Sequence, residues 1–249
     1  MGALHAGHLA LIRRARKLAG PRGTVVVSIF VNPIQFGPKE DFSRYPRPFA
    51  KDTALCRENS VDLLFNPSPA QMYPSGFSTY IDEGALGDAL CGRSRPGHFR
   101  GVCTVVAKLF NILKPDIAVF GKKDFQQLAI IRRMVRDLDI PVSIDSFDTV
   151  REPDGLALSS RNQYLTPEQR AQAPIIRRAL LTGAKNLRTA KKVIPKLIAT
   201  APLAKIDYIE ILDSETLQPI IPSTKKILLA AAVFFGKTRL IDNLTVAKK

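Results

Sequence analysis

The sequence predicts an α/β protein built on a parallel sheet, followed by a smaller α+β domain. Three observations carry that prediction. "TVVVSIFV" (24–31) and "DIAVF" (116–120) are unbroken apolar runs rich in β-branched residues, the composition of strands buried on both faces. Segments of helical period alternate with these and with shorter strand candidates, which is the pattern of an open α/β sheet. After about residue 150 the alternation stops, and helical stretches are followed by strand-like runs.

Taken in order, residues 9–19 place Leu9, Leu11, Ile12, Ala15, Leu18 and Ala19 at helical spacing, and "GPRG" ends the helix. "TVVVSIFV" is the first strand and "VDLLF" (61–65) the second. Between them, residues 32–60 read as the longest irregular region, rich in Pro, Gly and charge; a loop that long is more often functional than idle. "VCTVVAKLFNIL" (102–113) is a helix with Val102, Val105, Val106, Leu109 and Leu113 on one side. "DIAVF", the helix "QQLAIIRRMVRDL" (126–138) and the strand "PVSIDSF" (141–147) complete the alternation. Beyond lie helical stretches at 167–187 and 190–200, then strand-like "KIDYIEIL" (205–212) and "KILLAAAVFF" (226–235). The expected division is residues 1–149 and 150–249.

The chain has 249 residues, 45% hydrophobic and 24% charged, enough for one large core or two domains. No apolar run approaches the ~20 residues of a membrane span. The first basic residues follow the opening apolar stretch rather than precede it, unlike a signal peptide, so a cytoplasmic location is expected. Cys56, Cys91 and Cys103 form no C-x-x-C pair, which favours buried thiols over a disulfide framework or a zinc site. The net charge of +15 reads either as a solvated basic surface or as attraction for phosphates, of a nucleotide or of a nucleic acid. Its clusters, "RRAR" (13–16), "KK" (122–123), "RRMVR" (132–136) and "KK" (191–192), read as helix faces rather than as a nucleic-acid-binding stripe.

Four stretches carry residues suited to chemistry. In "MGALHAGHLALI", His5 and His8 stand at the mouth of a helix, with Gly7 between them. A helix N-terminus offers unpaired N–H groups and the positive dipole end, so the imidazoles suit phosphate contact; a helix cap and an i, i+3 metal pair are the competing readings. "FVNPIQFGPKEDFSRYPR" (30–47) displays Asn32, Gln35 and Tyr45 after the strongest strand, and Gln35 can donate and accept at once; a plain turn at Asn-Pro and Gly-Pro is the alternative. "FGKKDFQQL" (120–128) brings Gly121, Lys122, Lys123, Asp124 and Gln127 to the start of a helix. Lysines there oppose the helix dipole and so call for another reason, although Asp124 also suits a cap. "REPDGLALSSRNQYLTPEQR" (151–170) sets Ser159 and Ser160 beside Arg161, whose guanidinium can grip phosphate with two parallel bonds. The alternative is a loop before a helix capped at Thr166.

Together with "RPGHFRGV" and the terminal "GKTRLIDN", these motifs run in order from residue 1 to 243 and closely resemble the pantoate–β-alanine ligase (pantothenate synthetase) family. The resemblance implies a Rossmann-like nucleotidyltransferase domain with a small C-terminal lid. It implies the ATP-dependent condensation of pantoate with β-alanine through pantoyl adenylate, releasing AMP and pyrophosphate. Mg²⁺ would accompany ATP, with no tightly bound cofactor and no resident metal. The protein would be a cytoplasmic homodimer without nucleic-acid or membrane partners. Carried over by motif, His8 resembles the general acid, with His5 beside it at the phosphates. Met1, Gly2, Ala3, Leu4, His5, Ala6, Gly7 and His8 would line the ATP site. Gly121 and Asp124 resemble ribose contacts, Lys123 the phosphate lysine with Lys122 beside it, and Val150 the adenine contact. Leu158, Ser159, Ser160 and Arg161 resemble a mobile phosphate-binding loop, and Gln35 and Gln127 the pantoate ligands, Gln35 also touching β-alanine. The chain departs from the family twice. The family carries a further strand ahead of the Met-Gly-Ala-Leu-His stretch, so the first strand of its sheet is expected to be missing here. Glu is usual where this chain has Lys122. A related nucleotidyltransferase with another acid substrate, and a basic nucleic-acid-binding protein, are the alternative functions.

Overall fold

The structure, a computed structural model, describes residues 2–38 and 40–248. The helices are α1 (Ala6–Ala19), α2 (Phe49–Glu58), α3 (Pro69–Met72), α4 (Cys91–Ser94), α5 (His98–Leu113), α6 (Phe125–Asp137), α7 (Pro167–Gln172), α8 (Ile175–Lys185) and α9 (Leu187–Ile198). The strands are β1 (Val26–Ser28), β2 (Leu63–Phe65), β3 (Ile117–Gly121), β4 (Ser143–Phe147), β5 (Ala204–Asp213), β6 (Lys226–Phe235) and β7 (Thr238–Ala247).

The chain forms two compact units. The first comprises Met1–Asp88, Gly92–Lys122 and Gln126–Asp148; the second comprises Ala89–Cys91, Lys123–Phe125 and Thr149–Lys249. In the first unit the strands pair in parallel, β1 with β2 and β3 with β4. Among the described residues these are two separate two-stranded ladders, not one continuous sheet. The run 24–31 accordingly forms a shorter strand than its composition predicts. Val25, Val27 and Ile29 are buried, while β1 finds a ladder partner only in β2. Helix α1 packs against β3, and a bidentate pair from Arg14 to Asp145 (2.8 and 3.1 Å) ties it to β4.

Two further differences from the sequence reading lie in this unit. Residues 49–58, expected as loop, form α2; its apolar spacing is weak because it buries one polar and one apolar side chain, Asp52 and Cys56, four residues apart. Helix α5 begins at His98, earlier than its apolar stripe suggests, with Gly97 in the left-handed region (φ 77°) at its N-cap.

The second unit is an antiparallel sheet, β5-β6-β7, with the almost wholly buried β6 at its centre. Helices α8 and α9 close on its apolar face through Ile176, Leu180, Ile194 and Ile198. Gly183 permits that closeness: a Cβ there would stand 2.6 Å from Ile194. The helix expected at 167–187 is broken in two before Ile175, where Pro174 has no N–H to continue the ladder. Its start matches expectation, with Thr166 as N-cap in a capping box with Gln169. Strand β7, where the sequence showed only a motif, completes the sheet. Cys56, Cys91 and Cys103 are buried thiols outside any disulfide. Among the described residues no helix is long and apolar enough to cross a membrane.

Candidate active site

The opening stretch is a built turn. Gly2 and Ala3 both have positive φ (148° and 49°), a conformation that costs a non-glycine residue about 1–2 kcal/mol. Two anchors hold it. Leu4 is buried with Ile12, Val27, Ile29 and Cys56, worth about 1.5–3 kcal/mol for a fully buried leucine. The Asp52 carboxylate, 1% exposed, accepts the N–H of Ala3 (2.8 Å) on one oxygen and that of Leu4 (2.7 Å) on the other. The chain thereby enters α1 in a fixed direction. Met1 lies outside the described residues.

At the helix start the two histidines form a reciprocal cap. His5 is the N-cap, and its Nδ1 accepts from Gly7 N–H (3.2 Å), while His8 Nδ1 accepts from His5 N–H (3.3 Å). The rings lie 4.0 Å apart. The capping and phosphate readings of this pair are therefore compatible. With Nδ1 of each ring an acceptor, the neutral imidazole carries its proton on Nε2, so both rings are fixed as Nε2–H donors at the positive end of a helix. Among the described residues no group of three or more His, Cys, Asp or Glu side chains is arranged to hold a metal ion.

Gln35 ends a 3₁₀ turn, Pro33–Gln35, that follows β1. Its Oε1 accepts from Asn32 Nδ2 (3.1 Å). Asn32 is itself buried: its Nδ2 also donates to Gly101 O (3.0 Å), and its Oδ1 accepts from Tyr73 OH (2.7 Å). Burial of that phenol pushes its pKa well above the usual tyrosine value, so it stays a donor. The Gln35 amide is thus oriented by its oxygen, and its NH₂ end is the one available to a ligand. Helix α5 comes close to this turn because position 101 is glycine; a Cβ there would lie 2.5 Å from Ile34 O and 2.7 Å from Gln35 Cα.

The stretch after β3 divides its roles. Gly121 ends the strand, and a Cβ there would meet only Leu11 at 3.9 Å, so the protein itself does not require glycine at this position. Lys122 Nζ donates to Asp148 (2.7 Å) in an exposed pair. Lys123 lies 3.8 Å from Asp124, and Asn243 Nδ2 holds its backbone carbonyl (2.8 Å). Of the two glutamines in α6, Gln126 is buried and donates to Leu86 O (2.7 Å), a structural role. Gln127 is its half-buried neighbour in the first turn.

In the second unit, Val150 and Leu158 meet across a tight hairpin where Leu158 N–H donates to Val150 O (3.0 Å). The hairpin turns at Gly155 (φ 91°), and Arg151 anchors it through a bidentate pair to buried Asp242 (2.7 and 2.8 Å). Ser159 then caps the 3₁₀ turn Ser160–Tyr164 by accepting from Arg161 N–H (3.2 Å). The side chain of Ser159 therefore has a local structural partner.

Asn32 apart, sequence reasoning singled out none of these supporting groups: Asp52, Tyr73, Gly101, Arg151 and Asp242.

Strands that end in turns and helix N-termini, with imidazole and amide donors fixed there, define an α/β protein of the kind that binds an anionic ligand at strand ends. The family model described as pantoate-beta-alanine ligase matches residues 1–245, and the chain belongs to that family. It is 54% identical over 250 residues to a pantothenate synthetase of Akkermansia muciniphila, covering 98% of this chain and 89% of that one. A crystal structure of pantothenate synthetase from Thermus thermophilus is similar with a TM-score of 0.93 at 49% identity, covering 98% of this chain and 90% of that one. Pantoate-beta-alanine ligase from Francisella tularensis, solved with beta-gamma ATP and beta-alanine, has a TM-score of 0.80 at 38% identity, covering 98% of this chain and 86% of that one.

Proposed function

We propose that this chain catalyses the ATP-dependent condensation of pantoate with β-alanine. A pantoate carboxylate oxygen attacks the α-phosphorus of ATP, the bond to the bridging oxygen breaks, and pyrophosphate leaves. The β-alanine amine then attacks the carbonyl carbon of pantoyl adenylate, loses a proton and expels AMP. Adenylation is needed because a free carboxylate would have to expel oxide. Mg²⁺ enters with ATP, held by phosphate oxygens and water.

The observation that carries this reading, beside family membership, is the reciprocal cap on α1. It orients both imidazoles as Nε2–H donors at the positive end of a helix, an arrangement suited to stabilising phosphate charge without reorganisation during the reaction. In this reading His8 is the general acid and His5 a phosphate contact, and the stretch from Met1 to His8 lines the ATP site. Lys123 neutralises phosphate, with Lys122 beside it, Gly121 and Asp124 meet the ribose, and Val150 meets adenine. Leu158, Ser159, Ser160 and Arg161 form the phosphate loop, and Gln35 and Gln127 hold pantoate. Residues 1–149 bind ATP and pantoate, and residues 150–249 act as a lid that supplies Arg161 and keeps water from the adenylate. The protein works as a cytoplasmic homodimer.

Pantoate-dependent exchange of labelled pyrophosphate into ATP tests the first step. Exchange that requires pantoate supports the reading. Exchange with another hydroxy-acid but not pantoate would reassign the substrate, and no exchange with any acid would defeat the enzyme reading.

A further inference from the structure

Outside the groups already given roles, one polar cluster in the first unit grips the segment that carries Gln35. His98, 8% exposed at the start of α5, has both ring nitrogens engaged. Nδ1 lies 2.8 Å from the backbone oxygen of Gln35, and Nε2 lies 2.8 Å from Arg95 Nη1. A carbonyl oxygen can only accept and a guanidinium can only donate. The proton of His98 therefore sits on Nδ1, the opposite tautomer to His5 and His8. Arg95 in turn holds Glu40 with two parallel bonds, Nε to Oε1 at 2.7 Å and Nη2 to Oε2 at 2.6 Å. Two side chains of "RPGH" thus clamp the segment after β1 at both ends, at the Gln35 carbonyl and at the Glu40 carboxylate. The rings of Phe99 and His98 pack edge to face, with centroids 4.8 Å apart.

The geometry points to His98 as a positioning residue for pantoate: a neutral Nδ1–H imidazole, set by the Arg95–Glu40 pair, that fixes the main chain of Gln35 while Asn32 fixes its amide. Main chain and side chain are then both constrained, so the Gln35 NH₂ has one direction in which to donate. The bonds of His98 and Arg95 described above run to Gln35 and Glu40, so the effect is expected on pantoate rather than on ATP. The inference rests on the proposed role of Gln35.

Two substitutions separate the two ring nitrogens. His98→Asn keeps a donor near the Nδ1 position, and His98→Gln keeps a polar atom only near Nε2. Pantoate KM is expected to rise about tenfold in His98→Gln, the cost of one positioning hydrogen bond, and to stay within about threefold of wild type in His98→Asn. ATP KM should be unchanged in both. Equal effects of the two variants, or an equal shift in ATP KM, would overturn the assignment. Should His98→Gln fail to fold, Glu40→Gln removes the charge and one of the two acceptors that hold Arg95, without altering shape. It is expected to raise pantoate KM by about threefold, and an unchanged KM would count against the clamp. Long-range ¹H–¹⁵N correlation of the imidazoles in the wild-type chain provides a readout independent of turnover. It should show His98 protonated on Nδ1 and His5 and His8 on Nε2; an Nε2–H signal for His98 sinks the inference. Wild-type chain without pantoate-dependent exchange would instead defeat the ligase reading, leaving the tautomer experiment to decide the clamp.

Discussion

The start of α1 and the turn at Gln35 both carry donors that the proposed function assigns to a ligand, but they are held in different ways. At α1 much of the work is local: each histidine caps the other's neighbourhood within three residues, and Asp52 reaches in from a distance. At Gln35 the amide is held by its near neighbour Asn32, but Asn32 and the Gln35 main chain are themselves held from far along the chain. Tyr73 and Gly101 bond Asn32 from 41 and 69 positions away, and His98 reaches the Gln35 carbonyl from 63. A local cap survives small shifts of the surrounding fold, whereas a turn held by distant side chains reports on how well α5 is docked. Perturbing α1 should therefore damage phosphate chemistry, and perturbing α5 should damage acid binding.

The largest effect is expected at the donors themselves. His8→Ala and Lys123→Ala should each lower turnover by at least ~10²–10³, the usual cost of one preorganised donor. For His8→Ala, loss of the cap should cost only about 0.5–2 kcal/mol of stability, so melting and turnover measured together separate the two roles. Near-normal turnover in either variant would reject its assignment.

Next comes Asp52→Ala, which strands two amides. Each buried donor left unsatisfied costs about 1–3 kcal/mol, and the positive φ of Ala3 loses its restraint. Urea unfolding should show the loss, and ATP KM should rise with it; full stability would mean the opening turn is held by something other than this carboxylate.

Gly101→Ala sharpens the comparison from the other side. Its Cβ would collide with Ile34 O and Gln35 Cα, forcing α5 and the turn apart at a cost of about 1–3 kcal/mol. Pantoate KM should rise while ATP KM holds. A parallel rise in both would show that the two regions do not respond separately.

Acid gives the smallest and broadest effect. At Glu40 burial pushes the carboxyl up, but the hydrogen bonds and charge of Arg95 outweigh it and leave it below the usual range. Asp62 is lowered by the Val25 amide and then by Arg16, and Asp145 by its hydrogen bond from Arg14. In all three the unfolded chain takes up the proton first as pH falls. Stability present above about pH 4 is then lost as pH drops through the folded values. Melting temperature measured across this range should fall toward acid, with a shallower fall in Glu40→Gln; an identical slope in that variant would remove Glu40 from the account.

The same contrast explains what the sequence disclosed. The α/β alternation, the strands β5 and β6 and the helix start at Thr166 were legible because short-range periodicity and capping produce them. The histidine pair was legible as a helix mouth for the same reason. Asp52 was not, because its partners lie 48–49 positions away and its helix shows little apolar stripe. Helix α2 and strand β7 were missed on the same grounds: each carries polar side chains, Asp52 or Asp242, at buried positions where a periodicity reading expects apolar ones. The tautomers follow from distances that no spacing encodes.

The central claim is that pantoate is activated as an acyl phosphate ester of AMP. Pantoate labelled with ¹⁸O in its carboxylate, turned over with ATP and β-alanine, tests it most directly by the mass of the AMP produced. The attacking oxygen stays on phosphorus when the amine displaces AMP, so the account requires AMP to carry one ¹⁸O; pantothenate formed alongside unlabelled AMP would contradict it.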